Sequence, residues 1–164
     1  MARFANFTKE KAESVVALAR DLIIRHTAQA PSRFRLQAAI FEADAVHLLD
    51  WGRPVLGDSW SMTETGPHAP AVATFECAVE IDHDVLSETD RETLEQAVKD
   101  QSSLDNEALR QRLLALVTPQ PTGVLPVDVP WGAFIPDNYA NAEEVRADLL
   151  WWSSPFQLAN QRDA

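Results

Sequence analysis

Apolar positions recur at helical spacing through most of the first 117 residues, and that pattern predicts a mainly α-helical chain. In "TKEKAESVVALARDLIIRH", Val15, Leu18, Ala19, Leu22 and Ile23 form a stripe behind Thr8, whose hydroxyl suits a helix N-cap. The expected helix runs from about Thr8 to His26. Pro31 pushes its predecessor out of helical geometry, so a connector follows. "SRFRLQAAIFEADAVHLLDWG" carries two adjacent stripes, Phe34, Ala38, Phe41, Ala45 and Leu48 beside Leu36, Ile40, Ala43 and His47. So wide an apolar face predicts a helix buried at the centre of a bundle. Gly52 is placed to end it, because glycine takes a left-handed cap without steric cost.

The periodicity then stops for "GRPVLGDSWSMTETGP", residues 52–67, which reads as a short irregular or hairpin corner with Trp60 displayed between Gly57 and Gly66. A helix is expected to start at the prolines of "PHAPAVATFECAVEI" and to turn Val72, Phe75, Val79 and Cys77 inward. Two shorter helices follow. "LSETDRETLEQAVKD" opens on Ser87 with Asp90 three residues later, a capping-box spacing, and "SLDNEALRQRLLALV" points Leu109, Leu113 and Leu116 inward. Six of the ten prolines lie between Pro119 and Pro155, a density that excludes regular helix and disfavours a central strand. Thr118 to Asn138 is therefore expected to be extended and pinned by Val124, Leu125, Val127, Trp131 and Phe134. "NAEEVRADLLWWSS" reads as a last helix capped by Asn141, with Leu149, Leu150 and Trp152 on its apolar side. The pattern thus predicts one compact domain: a helical body over 1–117, with a proline-rich extended segment and terminal helix over 118–164 packed on it.

Composition narrows the function classes. The 164 residues suit a single core, and 46% hydrophobic against 24% charged residues is the balance of a soluble globular protein. No apolar run approaches the roughly 20 residues that span a bilayer, and the start lacks a signal-peptide layout, so the expected location is cytoplasmic. The formal net charge of -11 belongs wholly to residues 76–164; residues 1–75 hold eight acids and eight bases. With lysines only at Lys9, Lys11 and Lys99, direct nucleic-acid binding is disfavoured, since it needs cations over phosphates. A basic protein partner fits the acidic half better.

Candidate chemistry is thin. Gly52, Gly57 and Gly66 are too far apart for a phosphate cradle, and no lysine follows them. Asp44 and His47 stand one helical turn apart, while Asp50 drifts off their face; they are read as packing, as an acid–base pair or as part of a metal site that would need ligands from elsewhere, with packing preferred. Cys77 with His68 is a nucleophile–base pair only if the thiol is exposed, and its expected place inside a helix favours a buried structural cysteine. A single cysteine makes neither an internal disulfide nor a cysteine-based zinc site. No catalytic residue, metal site or cofactor is assigned. Of Trp51, Trp60, Trp131, Trp151 and Trp152, at least three are expected in the core; the adjacent Trp151 and Trp152 point about 100° apart on a helix, which leaves at least one partly exposed.

The corner and the helix before it carry a more specific signal. Leu36, Phe41, Ala43, Asp44, His47 and Leu48, then Gly52, Arg53, Pro54, Gly57 and Asp58, then Trp60, Met62, Gly66 and Pro67 together resemble the SocA-like Panacea domain. The Leu-Ser-x-x-Asp start at Leu86 to Asp90 is similar as well, and the resemblance spans roughly Thr8 to Leu116. This chain departs from the family pattern at Ser59-Trp60, at His68 and in its proline-rich ending. The resemblance implies a mainly helical antitoxin of a bacterial or phage toxin–antitoxin pair that binds its toxin protein directly, in some members also delivering it to a protease as an adaptor. It implies no cofactor. The expected contact residues are Arg53, Trp60 and His68 around the corner, with Trp151 and Trp152 as secondary candidates. A small enzyme using Cys77 and His68, or Asp44 and His47, is the alternative.

Overall fold

The computed structural model describes residues 3–153, and within them the chain is mainly α-helical with one small sheet. Helix α1 spans Lys9–Thr27 and α2 spans Arg33–Trp51. Thr8 Oγ1 accepts the Lys11 N–H at 3.2 Å and Ser32 Oγ accepts that of Arg35, so each helix begins on a hydroxyl that satisfies a free first-turn donor. Gly52 ends α2 at φ +75°, its N–H on the Leu48 carbonyl. Both expected stripes of α2 are buried apart from half-buried Phe34, because α1, α4 and α5 pack around it.

Helix α3 is shorter than the expected one. It covers only Pro70–Thr74, and the chain turns at residues 75–77 instead of continuing to Val79. Val79 is 75% exposed and Cys77 is exposed too, so neither points inward. Pro70 starts the helix, but the chain must come back to α1, where Ser14 Oγ accepts the Asp82 N–H at 3.0 Å. Helix α4, Glu88–Gln101, opens on a complete capping box between Ser87 and Asp90; α5 is Asn106–Leu114 and α6 is Ala142–Trp152. Asn141 holds the N-cap place of α6 in a left-handed conformation, φ +56°, without a side-chain capping bond.

The corner is a hairpin. Strands β1, Trp60–Thr63, and β2, Gly66–His68, pair antiparallel, and β3, Val127–Val129, joins the other side of β1 with Trp60 opposite Val129. The order is β2-β1-β3. Alternation along β1 buries Trp60 and Met62 and leaves Ser61 and Thr63 half-buried. β3 sits at the sheet edge between Pro126 and Pro130, where missing N–H groups break no central ladder. Trp131 and Phe134 anchor the segment after it, whereas Val124, expected to pin the chain, is 92% exposed. Phe41 joins α2 to this layer, meeting both Trp60 and Phe134 edge-on at 5.1 Å. Each such buried ring contributes roughly 2–3 kcal/mol.

Candidate functional site

The corner residues singled out by sequence converge on two buried polar knots. The first is built on Asp44. Its carboxylate receives the Leu56 N–H at 2.6 Å, the Trp60 indole N–H at 2.9 Å and the Gly57 N–H at 3.2 Å. Burial pushes the carboxyl up to about 6, against the pull of those three donors. Gly57 has to be glycine here: its φ is +78°, and a Cβ would lie 2.7 Å from Asn6 Oδ1. The neighbouring Asp58, also buried, takes the Arg3 Nε–H and Ser59 N–H at 2.8 Å each and the Ala71 N–H at 2.7 Å. It thereby ties the N-terminal arm, the entry to β1 and the first turn of α3 together.

The second knot joins α2 to α4. His47 Nδ1 lies 2.6 Å from the Arg53 carbonyl, which can only accept, so Nδ1 carries the proton. Nε2 is then an acceptor and takes the Thr89 hydroxyl at 2.9 Å. Burial, and secondarily the nearby cations Arg53 and Lys11, hold His47 below its ordinary value and keep it neutral. Asp90 faces the same burial, which alone would raise it. The Arg53 guanidinium at 2.7 Å, the Ser87 N–H at 2.9 Å and Lys11 Nζ at 3.2 Å outweigh that and lower it. Arg53 also donates to Ser87 Oγ at 3.1 Å and to the Pro54 carbonyl at 3.2 Å, so both of its terminal nitrogens are engaged within the fold while part of the side chain still reaches solvent.

These contacts change several expectations. Trp60 is 2% exposed rather than displayed, because β1 turns it inward and Asp44 holds its one donor. Arg53 is half-buried and spent on Asp90 and Ser87. His68 is half-buried in β2, 3.4 Å from the Gln37 amide, in a cleft with Arg33, Phe34 and Val72. Asp44 and His47 share a helix, yet each is committed to a different knot and no bond joins them among the described residues. Cys77 is exposed in the turn after α3, not buried; its carbonyl accepts from Arg20 at 3.5 Å, and no hydrogen bond joins it to His68. No cluster of three or more His, Cys, Asp or Glu side chains suited to a metal ion occurs among the described residues.

The tryptophans divide differently from expectation. Two, Trp60 and Trp131, are in the core, not three. Trp51 is 61% exposed at the last residue of α2; Trp151 and Trp152 on α6 are 60% and 46% exposed, beside Leu150 at 68%. Lys11 has no local signal for its place in a knot; Asp58 stands in the corner motif and Asp90 has its capping-box spacing to Ser87. No helix of the described residues is long and apolar enough to cross a membrane. Comparison of the chain with protein-family models, curated proteins and solved structures gives no match.

Proposed function

We propose that this is an interaction protein, an antitoxin that neutralises a toxin protein by binding it directly, with the helices forming a bundle that carries the binding surface. One observation carries the reading. Every polar residue of the motif at Asp44, His47, Arg53 and Asp58 is spent on internal hydrogen bonds, while four large apolar side chains, Trp51, Leu150, Trp151 and Trp152, stay exposed. Residues consumed in this way build a scaffold. Exposed tryptophans are the residue type most enriched at the energetic centres of protein interfaces. The resemblance of the corner to an antitoxin family supports the same reading, and the net charge of -11 favours a partner with a basic surface. Delivery of the partner to a protease rests on the resemblance alone.

Co-expression with the product of the adjacent gene tests the proposal. The neighbour alone is expected to arrest growth, and the pair is expected to grow and to co-purify as a complex. A neighbour that is harmless alone, or equally toxic when this protein is present, contradicts it.

A further inference from the structure

A groove of about 330 Å³ runs between α2 and α4. Val46, Asp50 and Trp51 form one wall and Glu92, Thr93 and Gln96 the other. Two features set it apart from ordinary acidic surface. Its apolar wall is largely open: Trp51 is 61% exposed and Val46 36%, and the indole lies beside the His47 ring, at 6.3 Å. Its carboxylates are also unequal. Arg112, the cation at one end, is consumed by ion pairs to Glu42 and, at 3.3 Å, to Asp100. Asp50 and Glu92, on opposite walls, are exposed and make no hydrogen bond or ion pair among the described residues. The groove therefore offers an indole face and two free negative charges, with its own cation already neutralised.

We propose that this groove receives an arginine side chain of a basic partner protein, with the guanidinium against the Trp51 indole and between the Asp50 and Glu92 carboxylates. Charge complementarity selects a cation, and the apolar wall selects a weakly hydrated, planar one. A guanidinium stacks on an aromatic face and still donates in its own plane to carboxylates, whereas an ammonium is a strongly hydrated point charge. The site also stands on rigid structure, because His47 beneath Trp51 is locked by the Arg53 carbonyl and the Thr89 hydroxyl. The inference rests on the reading of the protein as a binder and names the surface and the partner chemistry.

The test uses the full chain and a deca-arginine peptide, with deca-lysine as comparison, titrated calorimetrically at physiological salt. Deca-arginine is expected to bind more tightly than deca-lysine. Trp51→Ala and the double variant Asp50→Asn with Glu92→Gln are each expected to weaken it about tenfold, the scale of an interface anchor. Glu143→Gln with Glu144→Gln changes the same charge at exposed positions of α6, and should weaken it by less than about twofold, as distant screened charges do. Asp50 lies in the last turn of α2, where removing a negative charge does not oppose the helix dipole, so the double variant is expected to fold. Should Trp51→Ala not fold, Trp51→Leu removes the ring and keeps apolar bulk. Equal loss in the α6 control, equal binding of the two peptides, or unchanged binding by the Trp51 variant overturns the inference. Neutralisation of the neighbouring gene product separates the two proposals. If the groove variants neutralise as well as the parent, the groove is wrong and the antitoxin reading stands. If deca-arginine binds through Trp51 but nothing is neutralised, the groove stands and the antitoxin reading fails.

Discussion

Asp44 and Asp90 are both buried to within 1% of full exclusion, yet the two knots around them have opposite electrostatics. Asp44 is surrounded by three neutral N–H donors, and desolvation wins: its carboxyl rises to about 6. Asp90 has Lys11 and Arg53 in contact as well as a backbone N–H, and there the cations win and lower it. Burial is shared by both sites. What decides the sign is whether the donors carry charge. The first knot therefore works mainly by shape, stapling the 56–60 turn onto α2, and the second works mainly by charge, stapling α4 and α1 onto the 53–54 turn.

Removing the centre of either knot breaks this comparison most severely. Asp44→Ala leaves two backbone N–H groups and an indole N–H buried without a partner, an expected loss of about 4 kcal/mol in urea unfolding. Asp90→Asn leaves Lys11 and Arg53 facing each other without a counter-charge, an expected loss of about 3 kcal/mol, less than a fully buried pair because Arg53 reaches solvent. Its cost should shrink at high salt less than that of a surface pair such as Arg25 and Asp21.

Acid titration separates the knots by sign. Asp44 binds its proton more readily in the folded chain, so its contribution, about 3 kcal/mol at the limit, is fully present below its ordinary 3.8 and lost as pH rises through about 6. His47 and Asp90 run the other way. His47 contributes above its ordinary 6.5 and loses that as pH falls through its lowered folded value; Asp90 contributes above its ordinary 3.8 and loses it further into acid. Between pH 6.5 and 4 the knots oppose each other. Asp44→Asn removes the compensating half, so its unfolding midpoint should fall more steeply on acidification than that of the parent. Parallel curves would place the Asp44 carboxyl near its ordinary value.

Smaller effects sharpen the picture. Gly57→Ala forces a Cβ into a left-handed position against Asn6, with an expected loss of about 2 kcal/mol, measured as a lowered Tm. Trp151→Ala, on the exposed face of α6, should change stability by less than about 0.5 kcal/mol.

The fold is legible in the sequence where the signal is local. The Thr8 cap, the Ser87–Asp90 capping box, the Gly52 stop and the two stripes of α2 each depend on residues within a turn or two, and each is present. It is not legible where distant chain decides. The edge strand Val127–Val129 finds its partner more than 60 residues away, and α3 stops because the following turn must bring Asp82 to Ser14. Cys77 is exposed for the same reason, because α3 ends at Thr74 before reaching it. Trp60 is the instructive case, since the alternation in "WSMT" already carried an inward tryptophan, but only its pairing with Val129 makes that stretch a strand. Asp44 and His47 were recognised as a spacing, while their separate partners at 56–60 and 89 lay beyond any local pattern.

The proposed antitoxin reading makes the corner scaffold and puts the toxin-binding surface elsewhere. Trp60→Phe keeps an aromatic ring against Phe41 but deletes the N–H that Asp44 accepts. The decisive measurement is the co-expression growth assay on this variant, at a temperature where near-UV circular dichroism shows it folded. A lowered Tm with neutralisation retained is the expected result; a variant that is fully folded and no longer neutralises would contradict the scaffold role of the corner.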